Sequence, residues 1–322
     1  MEKMSITDEV RMGCAAVAER ATFVRINAVR IPDYAATLPL GEVASPELDT
    51  ERHFIGDPAD TAAFFLTLDS INFGSGYFPH LRKRPGMSGY FTVAGSLTDH
   101  FRAHGPFSAD ALAAITADDC KKLFGQRDAD AVAQELMALF ARALNDLGNY
   151  LLDRFDGDFT ALVAAAGGSA ETLVRILAEM PFFNDVQPYQ DLRAPFYKRA
   201  QLTAADLSIA LGGNGLGRFH DLDRLTIFAD NLVPHVLRVD GILVYDDDLQ
   251  ARIESETLIP AGAGEEIEIR ACALHAVELI KAALNASGHA VTAQGLDYLL
   301  WNRGQQPAYK AIPRHRTRCV YY

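Results

Sequence analysis

The chain has 322 residues, a formal net charge of −12, and a composition that is 49% apolar and 22% charged. That is an ordinary globular mixture, long enough for one large domain or two intimate ones. So acidic a chain repels a nucleic-acid backbone unless it concentrates a basic patch, and no apolar run approaches the roughly 18 residues that suggest a membrane span. The start, MEKMSITDEV, lacks the basic and apolar segments of a signal peptide. Cys14, Cys120, Cys272 and Cys319 are scattered with no CxxC pair, which points to reduced thiols in the cytoplasm and away from a zinc site or disulfide framework.

In chain order, most segments read as helix. Val10, Cys14, Val17, Ala21 and Val24 form one amphipathic stripe. The segment FFLTLDSINFGSGYFP (64–79) is an apolar run that breaks into a small loop of Asn72, Gly74, Ser75 and Gly76 between aromatics. The glycines let the backbone approach a neighbour closely; a planar ligand fits there, and so does a tight turn under its own aromatics. SGYFTVAGS (88–96) reads as a short extended pair. Val132, Leu136, Leu139, Ala143, Leu147 and Tyr150 mark a long helix. Ser169 caps another, stopped by Pro181, and Thr203 is expected to cap TAADLSIAL before Gly212 and Gly213. A helix over 265–284 begins with acidic residues, as the helix dipole prefers, and Thr292 caps AQGLDYLLWN. Loops are expected near 32–46, 56–58, 84–89, 104–108 and 260–264, with a soft boundary at 105–130 that does not divide the chain. The expected architecture is therefore one mainly α-helical domain over 1–322 with a few short strands, residues 1–50 packing onto it as a helix and loop.

A few side chains stand out against this background. Asp230 lies in the apolar run IFADNLVP, where a carboxylate is costly unless something pairs with it or uses it. It either caps the segment 231–234 or serves a site. Phe228, two residues earlier, is a core residue or the wall of that site. Asp297 and Trp301 are four apart on the helix after Thr292 and share a face. A stacking ring with an acceptor one turn away suits a guanine-like base, although a surface Asp above a core Trp has the same pattern. Lys198 and Arg199, following Phe196 and Tyr197, are a snorkelling helix end or phosphate ligands, the lysine as a point charge and the arginine as a fork. Arg316, in RHRTR, is the other candidate for a phosphate. The basic runs LRKRP (81–85) and KAIPRHRTR (310–318) are too short for duplex or transfer RNA. GGNGLGR (212–218) is preceded by helix, so a dinucleotide-binding fingerprint is excluded in favour of helix, Gly-rich turn, helix.

Five blocks in order carry a resemblance: FFLTLDSINFGSGYFP, FYKRAQL, GLGRFHDLDRLTIFADNLVP, GLDYLLW and the final RHRTRCVYY. With these blocks the chain, from about residue 50 onward, resembles the queuosine salvage protein family of queuosine 5'-phosphate N-glycosylases. The resemblance implies a helix-hairpin-helix architecture like that of DNA glycosylases. It makes Asp230 the residue that stabilises the oxocarbenium-like sugar and positions water. His53, by itself an ordinary loop histidine, becomes a base-pocket residue with Phe54, Phe228, Asp297 and Trp301. No second histidine at ligand spacing accompanies it, so neither metal nor organic cofactor is expected.

The resulting expectation is a cytoplasmic, monomeric hydrolase. It releases queuine and ribose 5-phosphate from queuosine 5'-monophosphate and does not act on intact nucleic acid or at a membrane. The alternatives are a non-catalytic queuine carrier and a glycosylase acting on a base within nucleic acid.

Overall fold

The structure, a computed structural model, describes residues 4–42 and 48–322. It is mainly α-helical. The first half holds helices Ile6–Arg20 (α1), Ile31–Thr37 (α2), Pro58–Ser70 (α3), Gly89–His104 (α4), Ala109–Ala114 (α5), Ala117–Leu123 (α6) and Ala131–Phe155 (α7). Then come Phe159–Ala164 (α8), Ala170–Leu177 (α9), Lys198–Ala210 (α10), Val233–Val239 (α11), Asp247–Glu254 (α12), Gly264–Ala286 (α13), Ala293–Gly304 (α14) and Pro307–Lys310 (α15). Strands Val24–Ile26 (β1), Val186–Tyr189 (β2), Leu192–Pro195 (β3) and Leu243–Tyr245 (β4) are short. They form two antiparallel pairs, β1 with β4 (Val24 opposite Tyr245) and β2 with β3 (Val186 opposite Pro195). Among the described residues no helix is long and apolar enough to cross a membrane.

The chain groups into two compact units, each built from three stretches. The first comprises Met1–Pro46, Asp185–Lys198 and Asp223–Arg318; the second comprises Glu47–Asn184, Arg199–Leu222 and Cys319–Tyr322. No junction falls in the soft boundary read at 105–130.

The first unit is organised on α13, which packs against α1, α2, α11 and α14. Ile267, Ile269, Cys272, Leu274, Val277 and Ile280 bury it on nearly every side, as a helix at the centre of a core requires. Three charged residues, Glu266, Glu268 and Arg270, are buried with them. Glu268 accepts the backbone N–H groups of Thr22, Phe23 and Val24 at 2.9, 2.6 and 3.0 Å, which turns the chain from α1 into β1. Arg270 is taken up below.

The second unit is organised on α7, which packs against α3, α5, α6 and α8 through Leu136, Phe140, Ala143 and Leu147. Gly148 lets α5 come close: a Cβ there would lie 2.3 Å from the Ala113 amide nitrogen. In the loop after α3, Gly74 adopts φ of 102°, and a Cβ on it would meet a Leu136 methyl at 2.7 Å. The Gly74 and Ser75 N–H groups donate to the Tyr322 carbonyl at 2.9 and 3.4 Å. The close neighbours of this loop are thus Leu136 and the Tyr322 backbone.

Several expectations are corrected. Residues 88–96 are not an extended pair but the first turns of α4. Ser88 caps it through the Phe91 N–H, and the Thr92 and Ser96 hydroxyls bond back to carbonyls one turn earlier. Thr203 is not a cap: it lies inside α10 with its hydroxyl on the Arg199 carbonyl, and the helix starts at Lys198. The stripe of α1 stops at Arg20, and Val24 belongs to β1. The loop expected at 32–46 contains most of α2, with Pro32 in its first turn, and then runs into residues 43–47, outside the described ones. After the Gly-rich turn come short 3-10 turns and an irregular stretch, and the next helix begins only at Val233.

Candidate active site

The irregular stretch before α11 carries Phe228 and Asp230, and it is fixed from several directions. The Phe228 N–H donates to Asp297 Oδ1 at 2.9 Å, from α14. The Ala229 carbonyl accepts the Arg270 Nε–H at 2.9 Å, from α13. Asp230 Oδ1 accepts the Leu232 and Val233 N–H groups at 2.7 and 3.3 Å, so it does cap the start of α11. These bonds use one carboxylate oxygen. The half-buried Asp230 keeps Oδ2 outside them. The capping and functional readings of this residue are therefore compatible in geometry.

Asp297 is buried, and its pKa is pushed up to about 7. Loss of water is the main cause and the Asp230 charge the second; the Phe228 N–H bond and the Lys198 ammonium act in the other direction. Near neutral pH this carboxyl is therefore divided between its protonated and charged forms. Trp301, one turn beyond, is half-buried.

Lys198 opens α10 and is buried. Its position is set by Asp185. The Asp185 carbonyl accepts the N–H groups of Phe196 and Tyr197 at 2.8 and 3.3 Å, and its Oδ2 accepts that of Lys198 at 3.3 Å. Between them Tyr197 is held in the left-handed region at φ of 47°, an uncommon place for an aromatic residue. In the C-terminal basic run, Arg316 pairs with Glu256. The arginine that Asp230 acts on is Arg314: crowding by surrounding protein lowers its proton affinity and the Asp230 carboxylate raises it.

Phe228, Asp230, Asp297, Trp301, Lys198 and Arg316 all belong to the first unit, and His53, Phe54 and Asn72 to the second. His53 is buried, with Nδ1 donating to the Asp49 carbonyl at 3.0 Å. Its Nε2 is then left to accept the Tyr90 hydroxyl proton at 2.8 Å, and burial lowers its pKa. Phe54 packs on Phe64 and Phe101, whereas the His53 ring faces Phe65, Tyr90 and Phe91. Asn72 donates to Asp69 Oδ1 at 3.3 Å.

Sequence reasoning passed over Asp185 and Arg270, and it offered Arg199 as a phosphate ligand, whereas the buried Arg199 guanidinium donates to the carbonyls of Asp69, Ser70, Phe182 and Val320. The signal for Arg270 was present: an arginine inside the apolar stretch IEIRACAL needs a partner as surely as Asp230 does. Asp185 carries no such mark. Among the described residues there is no cluster of His, Cys, Asp or Glu suited to hold a metal ion.

The mainly helical scaffold thus holds two acidic side chains that act on each other and a buried lysine that acts on one of them. The chain belongs to the queuosine salvage protein family, whose model matches residues 52–322. It is similar to curated proteins named queuosine 5'-phosphate N-glycosylase/hydrolase. One from Sphaerobacter thermophilus is 37% identical over 95% of both chains. One from Dictyostelium discoideum is 31% identical over 81% of this chain and 78% of its own. One from Mus musculus is 35% identical over 67% of this chain and 66% of its own.

Proposed function

We propose that this protein hydrolyses the N-glycosidic bond of queuosine 5'-monophosphate, releasing queuine and ribose 5-phosphate. The observation that carries this reading is that buried Asp297 holds the Phe228 N–H at 2.9 Å, two residues before Asp230, whose charge helps to raise the Asp297 pKa. It occurs in a chain similar along nearly its whole length to a relative named for that reaction.

The substrate's chemistry fits the side chains. Queuosine is a 7-deazapurine, with carbon where guanine has a ring nitrogen, so the base cannot be protonated there to improve it as a leaving group. Catalysis must act on the sugar. As the bond from C1' to the base nitrogen lengthens, positive charge grows on the ribosyl ring. Asp230, steadied by the amides on Oδ1, opposes that charge with Oδ2 and orients the water whose oxygen bonds to C1'. The base leaves with the bond's electron pair and takes up one proton while the attacking water gives one up, so that H and OH are added across the broken bond.

Asp297 reads the base. A carboxylate has about four acceptor sites, so its bond to Phe228 leaves room for a ring N–H and an exocyclic amine. Phe228 and Trp301 supply flat faces beside it. Lys198 and Arg314 hold the 5'-phosphate, whereas Arg316 has its guanidinium on Glu256.

The test is incubation with queuosine 5'-monophosphate followed by chromatography for free queuine. Stoichiometric binding with no release would replace the enzyme by a carrier.

A further inference from the structure

Arg270 and Asp185 are both buried in the first unit. Arg270 donates through two nitrogens to the two Asp185 oxygens, at 3.0 and 2.5 Å. Its third nitrogen, Nε, holds the Ala229 carbonyl, one residue before Asp230. Glu266, one turn back on α13, stands 3.5 Å from the same guanidinium. The Phe196 ring lies 3.9 Å below it. Asp185 in turn binds the three consecutive amides that end at Lys198. One planar fork therefore reaches the segment bearing Asp230 on one side and, through Asp185, the segment bearing Lys198 on the other.

A buried ion pair is a poor means of gaining stability, since desolvation offsets most of the attraction. It is a good means of fixing geometry, because the guanidinium is rigid and its donors point in set directions. We infer that Arg270 and Asp185 are positioning residues that set the spacing between Asp230 and Lys198, and so between the ribosyl carbon and the 5'-phosphate. The inference rests on the reading of those two residues proposed above.

Arg270→Lys tests it. The charge survives, but an ammonium cannot bridge Asp185 and the Ala229 carbonyl in the same plane. The control is Glu268→Gln, on the same helix two residues away, where side chains point to different faces. It weakens the buried contact with Thr22–Val24 and leaves the Asp230 segment alone. Two readouts are taken: kcat and KM on queuosine 5'-monophosphate, and hydrogen exchange of the Leu232 and Val233 amides, which needs no activity. Arg270→Lys is expected to lower kcat at least about tenfold, with a smaller change in KM, and to speed exchange at those amides by a similar factor. Glu268→Gln is expected to lower the melting temperature comparably while moving neither.

Unchanged kcat and exchange in folded Arg270→Lys overturns the inference, as does an equal effect from Glu268→Gln. If Arg270→Lys does not fold, Asp185→Asn takes its place with the same criteria. Failure of both to fold marks a purely structural pair and also overturns it. If the wild type releases no queuine, the functional reading falls, and the brace is judged on exchange alone.

Discussion

At the scale of single residues, the two carboxylates of the first unit carry different loads. Asp230→Asn keeps the cap on α11, because the amide oxygen still accepts the Leu232 and Val233 N–H groups. What it loses is the charge facing the sugar, and one such contact is commonly worth a hundredfold or more in rate. The expected result is a kcat on queuosine 5'-monophosphate lowered by about two orders of magnitude in a protein of unaltered melting temperature; a wild-type rate would leave Asp230 as a cap only. Asp297 has a signature of its own in pH. Its folded pKa of about 7 lies above its ordinary value of 3.8, so the folded state holds this proton more tightly than the unfolded state does. The cost of ionising it in place is therefore complete above pH 7, shrinks as pH falls, and is gone below about pH 4. Asp297→Asn should be more stable than wild type at pH 8, by up to a few kcal/mol, with the gain vanishing near pH 4. Queuine affinity should show the complement: in the wild type it strengthens as pH rises through about 7, because the charged form accepts the base's donors, and in Asp297→Asn it is weak throughout. Denaturant titration and calorimetry across pH read both. Asp230 and Asp297 were legible in the sequence because a charge in an apolar run, or one turn from a lone tryptophan, needs a reason. The choice between Arg314 and Arg316 was not legible, because it depends on Glu256, which becomes a neighbour only on folding.

At the scale of elements, the long helices could be read and their neighbours could not. The stripes of α7 and α13 were visible because many residues repeat one period, and Ser169 and Thr292 cap where expected. The short segment 88–96 misled because Tyr, Phe, Thr and Val favour strands locally, while a serine cap and a packed helical face decide the outcome. Thr203 misled in the opposite way, since a threonine hydroxyl satisfies a carbonyl inside a helix as readily as an amide at its start. Nothing local announces where two helices cross. Gly148 marks such a place, with the Ala113 nitrogen and Ala109 oxygen 2.3 and 2.6 Å from where a Cβ would stand. Those neighbours are backbone and cannot swing aside. Gly148→Ala should therefore destabilise the protein by roughly 2 kcal/mol or more, although alanine is the better helix former. A melting temperature equal to or above wild type would show that α5 and α7 can separate freely.

At the scale of the whole molecule, charge governs which ligands approach. At −12, with basic residues in short runs, the chain is expected to repel a polyanion. Intact transfer RNA carrying queuosine should release no queuine, whereas the same RNA digested to mononucleotides should release it readily. Comparable release from the intact RNA would favour a glycosylase that acts within nucleic acid.

The interleaving of the two units has a consequence for how the protein is made. The turn at Gly74 and Ser75 is closed by the backbone of residue 322, and Arg199 reaches the Val320 carbonyl at 2.8 Å. A ribosome that has already produced α3 to α10 must still make α11 to α15 before the partner of that turn appears. The growing chain must keep a nearly complete aromatic core waiting, with two amides short of their acceptor and Arg199 short of one of its four carbonyls. Folding of this region thus waits on a segment made long after the helices it joins. Deleting residues 319–322 should trap the protein in that waiting state, seen as loss of the soluble fraction on expression even though no residue of the proposed catalytic apparatus is removed. A soluble truncated chain with wild-type melting temperature would mean that the turn closes without its distant partner.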